Sequence, residues 1–183
     1  MSIAPDLAVP VVGFRAWRVI DERLTSPYIP VRWEGRLMHA ACFPANRNLV
    51  FGQGWLGEDH ASPDPRCRCG IYAYHRPQRA PYVGEFEWVA GIVSVWGRVE
   101  VHRDGLRAEH ARIEALALQP GWPAARVGRT RRMAERLGVD VVDHAELEAA
   151  AGRYGAPLPP SLVPAENVTG SPTATGPGTS IEP

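Results

Sequence analysis

Three cysteines and one histidine are the residues in this chain whose types and spacing point to a specific chemistry. Cys67 and Cys69 are separated by a single residue, His60 precedes them, and Cys42 lies further upstream. Three thiolates and one imidazole form a complete ligand set for a tetrahedral metal ion, and zinc is the ion that such a set favours. The pattern therefore predicts one zinc site formed by Cys42, His60, Cys67 and Cys69.

Other assignments of these residues stay open at this point. His39 and His75 are alternative fourth ligands, and a site with three protein ligands and a water would be of the catalytic type. An iron–sulfur cluster is a less favoured cofactor, because the spacing matches no common ferredoxin pattern. One thiol with a neighbouring histidine as base is a candidate nucleophile. The cysteines are alternatively small buried hydrophobic residues.

One of the predicted ligands lies in a long loop, and this loop must be held against the rest of the fold. Residues 45–65 are rich in glycine, proline, asparagine and aspartate, and His60 lies within them. Loops of this length in a compact domain usually require something that holds them. We therefore expect the metal to be structural and to clamp this loop to the sheet.

The elements that would carry the ligands are short strands and one hairpin. Residues 13–19 alternate apolar and arginine side chains, as in a strand, and residues 31–33, 37–42 and 71–74 are further candidates. Four valines alternate between residues 93 and 101, which predicts a long strand with one buried face. Asp104 and Gly105 then predict a two-residue turn. This register places Glu100 directly opposite Glu109.

The polar face of that hairpin is a candidate site for ligand binding or acid–base chemistry. A carboxylate, an imidazole and guanidinium groups on one face can bind an anion or transfer a proton. The alternative is a solvated sheet face with alternating charges. His110 falls on the opposite face with Val99 and is expected to be a hydrogen-bonded core histidine. The residues predicted to share the polar face are Arg98, Glu100, His102, Arg107 and Glu109.

Helices are predicted after the hairpin. The first covers residues 126–137 and ends at Gly138, and a short strand follows at residues 139–142. A second helix is expected from Asp143 to about Tyr154, with Glu146 completing a capping box.

The first helix carries five arginines, and Arg129 and Arg132 are candidate contacts to nucleic acid. The alternative is a solvated helix face paired with Glu146 and Glu148 of the second helix.

The composition limits the class of protein. The chain has 183 residues, 45% of them hydrophobic, which is enough for a core, and its formal net charge of zero disfavours general nucleic-acid binding. It contains no lysine, which excludes Schiff-base catalysis by lysine. No apolar run is long enough to span a membrane, so no membrane partner is expected. The N-terminus has no signal-type stretch, and the expected localisation is cytoplasmic.

Six short sequence blocks of this chain, and their order along it, resemble those of a group of small uncharacterised bacterial proteins. The resemblance covers residues 13–118 and brings no established function. It implies that the three cysteines belong together with His60, and it ranks His60 above His39 and His75. The blocks are Gly13-Phe-Arg-Ala-Trp-Arg, Ala41-Cys42, His60-Ala-Ser-Pro, Cys67-Arg-Cys-Gly-Ile-Tyr-Ala, Val95-Trp-Gly-Arg-Val-Glu-Val-His and Gly105-Leu-Arg-Ala-Glu.

These features together predict an α+β protein with a small antiparallel, partly barrel-like sheet, a metal-clamped loop and two C-terminal helices. The expected division is a metal-stabilised core at residues 1–122, a helical appendix at 123–160 and a disordered tail at 161–183. The expected function is a metal-stabilised binding module, with a protein partner favoured over nucleic acid. The alternative is a small enzyme that uses an open metal site or the face of Glu100, His102 and Glu109. The oligomeric state is not predicted.

Overall fold

The computed structural model describes residues 2–42, 60–77 and 87–164. Eight strands and two α-helices follow one another along this part of the chain. Short 3-10 turns at His144–Glu146 and Pro160–Leu162 complete the regular structure. The elements are β1 (Ser2–Ile20), β2 (Arg23–Thr25), β3 (Leu37–His39), β4 (Ile71–Tyr74), β5 (Trp88–Val101), β6 (Gly105–Leu118), α1 (Ala124–Leu137), β7 (Asp140–Asp143), α2 (Leu147–Ala151) and β8 (Ala156–Pro157).

The three long strands form the centre of one mainly antiparallel sheet. β5 pairs antiparallel with β1 on one side and with β6 on the other, and the short strands β2, β3 and β4 extend the ladder. Only β7 and β8 run parallel to their neighbours, β6 and β1. The predicted α+β class with two short C-terminal helices is confirmed.

The expected barrel-like character is not realised as a closed barrel. β4 lies between β1 and β6, but it meets β1 at the single pair Phe14 and Tyr74. Because β4 has only four residues, it cannot continue the ladder between two long strands. The pairing of β1, β5, β6 and β4 is therefore completed by one residue pair only, and the sheet is not a closed barrel.

Both faces of the long strands are buried. Val93, Val95, Val99 and Val101 lie in one apolar cluster, as their alternation predicts, but the expectation that only one face of this strand is buried is wrong. Helix α1 contributes Met133 to this cluster. A second cluster on neighbouring positions of β1, β5 and β6 is covered by α2. The two helices thus close the core from opposite sides of the sheet.

The first predicted helix is confirmed and the start of the second is corrected. α1 ends at Gly138, whose φ of 64° is the left-handed conformation that favours glycine at a helix end. Asp143 makes no side-chain capping bond, because it is the last residue of β7 and pairs with Leu118. The chain then passes through a 3-10 turn before α2 begins at Leu147.

A buried arginine ties the first strand to β4. The Arg15 side chain donates to the backbone carbonyl of Tyr72 and to the hydroxyl of Ser26. Its guanidinium lies 5.4 Å from the ring centre of Trp33 and 5.9 Å from that of Trp17. Burial lowers the pKa of Arg15 to about 10. This interaction holds β4, and with it the segment that carries two cysteines, against β1.

The segment predicted as a helical appendix adds β7 and β8 to the sheet. The proposed boundaries at residues 122 and 160 stay predictions. Most of the predicted loop at 45–65, and the predicted tail beyond residue 164, lie outside the described residues. No helix in the described ranges is long and apolar enough to cross a membrane.

Candidate metal centre and basic cleft

Strand β6 brings the predicted ligands together. β3 and β4 both pair with β6, so the residues that flank these two short strands lie close to each other. Cys42 follows β3, and the backbone N–H of Ala40 donates to the carbonyl of Glu109 at 2.6 Å just before it. Cys67 and Cys69 directly precede β4. His60 begins the described segment that leads to them.

The four side chains form one compact cluster. One nitrogen of His60 and the sulfurs of Cys42, Cys67 and Cys69 all lie within 4.8 Å of one another. The sulfurs of Cys42 and Cys67 are 3.8 Å apart, and His60 Nε2 lies 3.3 Å from the sulfur of Cys69. Two sulfurs bound to one tetrahedral zinc are separated by about 3.8 Å, as Zn–S bonds of about 2.3 Å require. These residues lie close together and have the geometry to hold one metal ion.

The three cysteines form no disulfide bond with one another. A sulfur–sulfur distance of 3.8 Å is far longer than a disulfide bond of about 2.05 Å. Burial, and then the hydrogen bond with Cys67, raise the pKa of Cys42 to about 12. Without a cation, the Cys42 thiol therefore stays protonated at neutral pH, which disfavours it as a nucleophile.

Gly70 allows the sharp turn between the cysteines and β4. Its φ of 118° is a conformation that side-chain-bearing residues rarely adopt. A Cβ atom there would lie 3.1 Å from the Cβ atoms of both Arg107 and Pro63. The turn expected from the Cys67-Arg-Cys-Gly run is therefore present, and it packs the cysteine segment directly on β6.

The predicted register of the hairpin is wrong: each residue of β5 beside the turn pairs with a residue of β6 that lies two positions before the predicted partner. Val101 pairs with Leu106, and Glu100 pairs with Arg107 rather than with Glu109. The turn is closed by a hydrogen bond from the His102 N–H to the Gly105 carbonyl, so Gly105 belongs to β6. Its place on β6 is opposite Tyr74, where a Cβ atom would lie 3.1 Å from Cα of Tyr74.

The corrected register creates a buried ion pair. Glu100 and Arg107 are 2% and 4% exposed, and the Arg107 guanidinium donates to Glu100 Oε2. Glu100 Oε1 lies 3.3 Å from Nε2 of His102. Burial lowers the pKa of His102, so its imidazole is neutral at pH 7. Three of the five residues predicted for the hairpin face therefore meet in one cluster.

Arg107 also connects this cluster to the cysteines. Its Nη1 donates to the backbone carbonyl of Cys67 and, at 3.1 Å, to that of Cys69. A single side chain therefore donates hydrogen bonds both to the backbone carbonyls of the two cysteines and to the carboxylate of Glu100. No feature of the sequence alone indicated this link, because it depends on the hairpin register.

A cleft opens beside the two clusters. It has a cavity volume of about 640 Å³ and is lined by residues 65–68, 72–74, 102 and 104–107. We call it the basic cleft, because the exposed Arg66 and Arg68 line it and Asp104 is its only acidic lining residue in the part of the chain described. Arg107 also lines it, but its charge is paired with that of Glu100. Tyr72 supplies an aromatic surface, and its hydroxyl donates to the Arg68 carbonyl.

The other two residues of the predicted hairpin face lie elsewhere. Gly97 and Arg98 form a β-bulge opposite Glu109, and the Arg98 N–H donates to Glu109 Oε2 at 3.1 Å. His110 is not a core histidine. Its ring is half-buried and lies 4.7 Å from that of His39.

The two alternative fourth ligands have other neighbours. Nδ1 of His39 lies 3.1 Å from Nδ1 of His110, on the opposite strand. His75 donates through Nε2 to the carbonyl of His102 at 2.9 Å. The histidine that lies among the three sulfurs is His60.

The arginines of α1 pair with acidic groups, but not with those expected. Arg129 lies 2.8 Å from Glu87, and Arg132 lies 2.7 Å from Glu22. Glu146 and Glu148 were the predicted partners. α1 instead lies beside the turn between β1 and β2, because its apolar side packs on the long strands.

Comparisons with protein-family models, curated proteins and solved structures found no match. The resemblance to small bacterial proteins stays a prediction.

Proposed function

We propose that this protein is a zinc-stabilised binding module whose basic cleft receives an acidic segment of a protein partner. The observation that carries the proposal is the convergence of three sulfurs and one imidazole nitrogen within 4.8 Å. A site with four protein ligands is closed and of the structural type. The ion joins the segment after β3 to the segment before β4 and so stabilises one wall of the cleft.

Zinc suits this ligand set better than an iron–sulfur cluster. Clusters are commonly held by four cysteines, or by two cysteines and two histidines in Rieske centres. Three cysteines with one histidine fit neither arrangement, whereas this set is common in structural zinc sites. Elemental analysis of the purified protein, with a thiol count on the same sample, tests the assignment. We expect one zinc per chain, and iron with acid-labile sulfide would contradict it.

The chemistry of the cleft favours an acidic peptide. The side chains of Arg66 and Arg68 are exposed at its rim, and the Tyr72 ring lies beside them. Guanidinium groups form paired hydrogen bonds with carboxylates, and an aromatic surface packs against the peptide chain. Arg129 and Arg132 carry less weight as a nucleic-acid surface, since their ion pairs with carboxylates, at 2.8 and 2.7 Å, are closer than the 3.5 Å contact of Arg66 with Asp64.

Binding of a fluorescently labelled glutamate-rich peptide tests this function. We expect the full-length, zinc-loaded protein to bind the peptide, and the Arg68→Glu variant to lose most of that binding. Arg153→Glu, on an exposed residue outside the cleft, is the matched control. A labelled single-stranded oligonucleotide is the competing probe. Tighter binding of the oligonucleotide, weakened by Arg129→Ala and Arg132→Ala, would favour nucleic acid instead.

A second candidate function is acid–base chemistry in the basic cleft. His102 is half-exposed in the cleft wall, and its Nε2 lies 3.3 Å from the carboxylate of Glu100. A neutral imidazole oriented by a carboxylate is the arrangement of a general base. Glu109 takes no part in this cluster, so the candidate set reduces to Glu100, His102 and Arg107. Small-molecule turnover that His102→Gln abolishes, without loss of zinc, would support the enzyme over the module.

A further inference from the structure

A second group of metal-ligating side chains lies on the neighbouring strands. His39 is the last residue of β3, and it lies directly opposite His110 of β6. One ring nitrogen of each histidine and one carboxylate oxygen of Glu109 lie within 4.8 Å of one another. We propose that His39, Glu109 and His110 form a second, open site for a divalent transition metal ion. The inference does not depend on the binding function proposed above.

The distance between the two imidazoles fits shared coordination. Nδ1 of His39 and Nδ1 of His110 face each other at 3.1 Å. Two imidazole nitrogens bound to one ion at about 2.1 Å lie about 3.0–3.4 Å apart when they occupy neighbouring coordination positions. The same distance also suits an imidazole–imidazole hydrogen bond, so the test must separate a metal ion from a shared proton.

The backbone of β5 is shaped to admit two of these ligands. Gly97 has a φ of 77°, and a Cβ atom there would lie 2.8 Å from Cδ2 of His110 and 2.9 Å from Oε2 of Glu109. The bulge at Gly97 and Arg98 also lets the Arg98 N–H donate to the same carboxylate oxygen. Bulges of this kind redirect side chains and are frequent beside functional sites.

A neighbouring aromatic ring supports one of the histidines. Trp96 pairs with His110 across the β5–β6 ladder, and the two rings stack with centres 5.5 Å apart. The other Glu109 oxygen, Oε1, lies 3.7 Å from Nε2 of His110. His110 is therefore restrained by Trp96, Glu109 and His39 at once.

The ligand types define what this site would take. Two imidazoles and one carboxylate suit Fe²⁺, Zn²⁺, Mn²⁺ or Co²⁺, and soft Cu⁺ is disfavoured because the group contains no sulfur. Three protein ligands leave coordination positions for water or an exogenous ligand. His39 is exposed, so those positions face solvent.

Titration of the full-length, metal-stripped protein with Co²⁺ tests the proposal. Cobalt at the cysteine site gives sulfur-to-metal charge-transfer absorption, whereas a nitrogen and oxygen site does not. We expect two equivalents of Co²⁺ per chain, and only one of them should contribute charge-transfer absorption. The double variant His39→Ala, His110→Ala should lose the equivalent without sulfur absorption and keep the other, which also shows that it folds.

Two further variants sharpen the test. Glu109→Gln keeps an acceptor for the Arg98 N–H and removes the charge, so we expect the affinity of the second equivalent to fall at least about tenfold. His144→Ala, outside both groups, should leave both equivalents unchanged. Binding of a single equivalent that shows sulfur charge-transfer absorption would overturn the proposal and leave a hydrogen bond between the imidazoles. A second equivalent that persists in the double histidine variant would place that ion elsewhere.

Discussion

Arg107 faces Glu100 across the ladder of β5 and β6, and its guanidinium reaches past that carboxylate to the backbone carbonyls of Cys67 and Cys69. The ion pair is buried, so its charges are weakly screened by solvent. The end of the hairpin and the cysteine segment are therefore held together by one side chain as well as by the proposed metal ion.

Removing the Arg107 guanidinium should strongly destabilise the protein. Arg107→Met leaves Glu100 buried without its partner, and we expect a loss of about 3–5 kcal/mol in the free energy of unfolding. Arg103→Ala is the matched control, because it removes an exposed pair with Asp104 that is worth about 0–1 kcal/mol. Urea unfolding of both variants measures the difference. Equal losses in the free energy of unfolding would show that the buried ion pair contributes no more to stability than the exposed one.

The metal affinity of the cysteine cluster should fall in the same Arg107→Met variant. The carbonyls of Cys67 and Cys69 lose their donor, so the ligand segment is held less well before the ion binds. Supporting contacts of this kind typically contribute about 10–100-fold to metal affinity. Competition with a chromophoric chelator measures the effect. An unchanged metal affinity would mean that the metal ion orders the segment of Cys67 and Cys69 without help from Arg107.

Loss of one cysteine ligand should have the same consequence as loss of the ion. Cys69→Ser removes the sulfur that lies 3.3 Å from His60 Nε2. We expect a loss of more than about 3 kcal/mol in the free energy of unfolding, because loss of a metal is among the few causes of such large effects. Chelation should lower the melting temperature of the unaltered protein but hardly change that of Cys69→Ser. If verified removal of the metal leaves the melting temperature of the unaltered protein unchanged, a structural role of the metal is contradicted.

Gly97 should tolerate a side chain less well than Gly35 and Gly121 do. Gly97→Ala combines a φ of 77° with close contacts to His110 and Glu109, and we expect a loss of about 2–5 kcal/mol. Two controls separate these causes. Gly121→Ala has a φ of 79° and open space, so it should lose about 1 kcal/mol, and Gly35→Ala should be nearly neutral. Equal effects at residues 97 and 121 would exclude the steric contribution.

Protonation of His102 should destabilise the fold in mild acid. Its pKa is lowered by burial, so the folded state binds fewer protons than the unfolded state. The stability that this group contributes is complete above the unfolded pKa of about 6.5 and is lost as the pH falls through the lower folded pKa. His102→Gln should therefore show a smaller loss of stability below pH 6.5. Parallel curves for the two proteins would contradict the assignment.

The long strands and the clustering of the three cysteines with His60 could be predicted from the sequence, whereas the hairpin register could not. The alternation of valines in β5 and the glycine turn after Cys69 can be predicted, because each depends on residues that are close together in the sequence. Gly105 has two possible roles, a turn residue with positive φ or a point of close strand approach. Its contact with Tyr74 of β4 requires the second role. That choice depends on a strand about 30 residues away in the chain, and it decides which residue faces Glu100.

The sequence does not indicate the group of His39, Glu109 and His110, for a similar reason. Because His39 is close to Cys42 in the sequence, the sequence predicts it only as a rival ligand beside the cysteines. Its actual neighbour depends on the pairing of β3 with β6, and a three-residue strand carries little pattern from which that register can be predicted.

The parallel pairing of β8 with β1 has a consequence for how the chain folds. Val11 pairs with Ala156, so one edge of β1 finds this neighbour only after nearly all of the described chain has been synthesised. Contacts between such distant residues slow folding, since a large loop must close before they form. A chain shortened to residues 1–122 would lack both β7 and β8, and it would expose unpaired edges of β6 and β1 that invite aggregation.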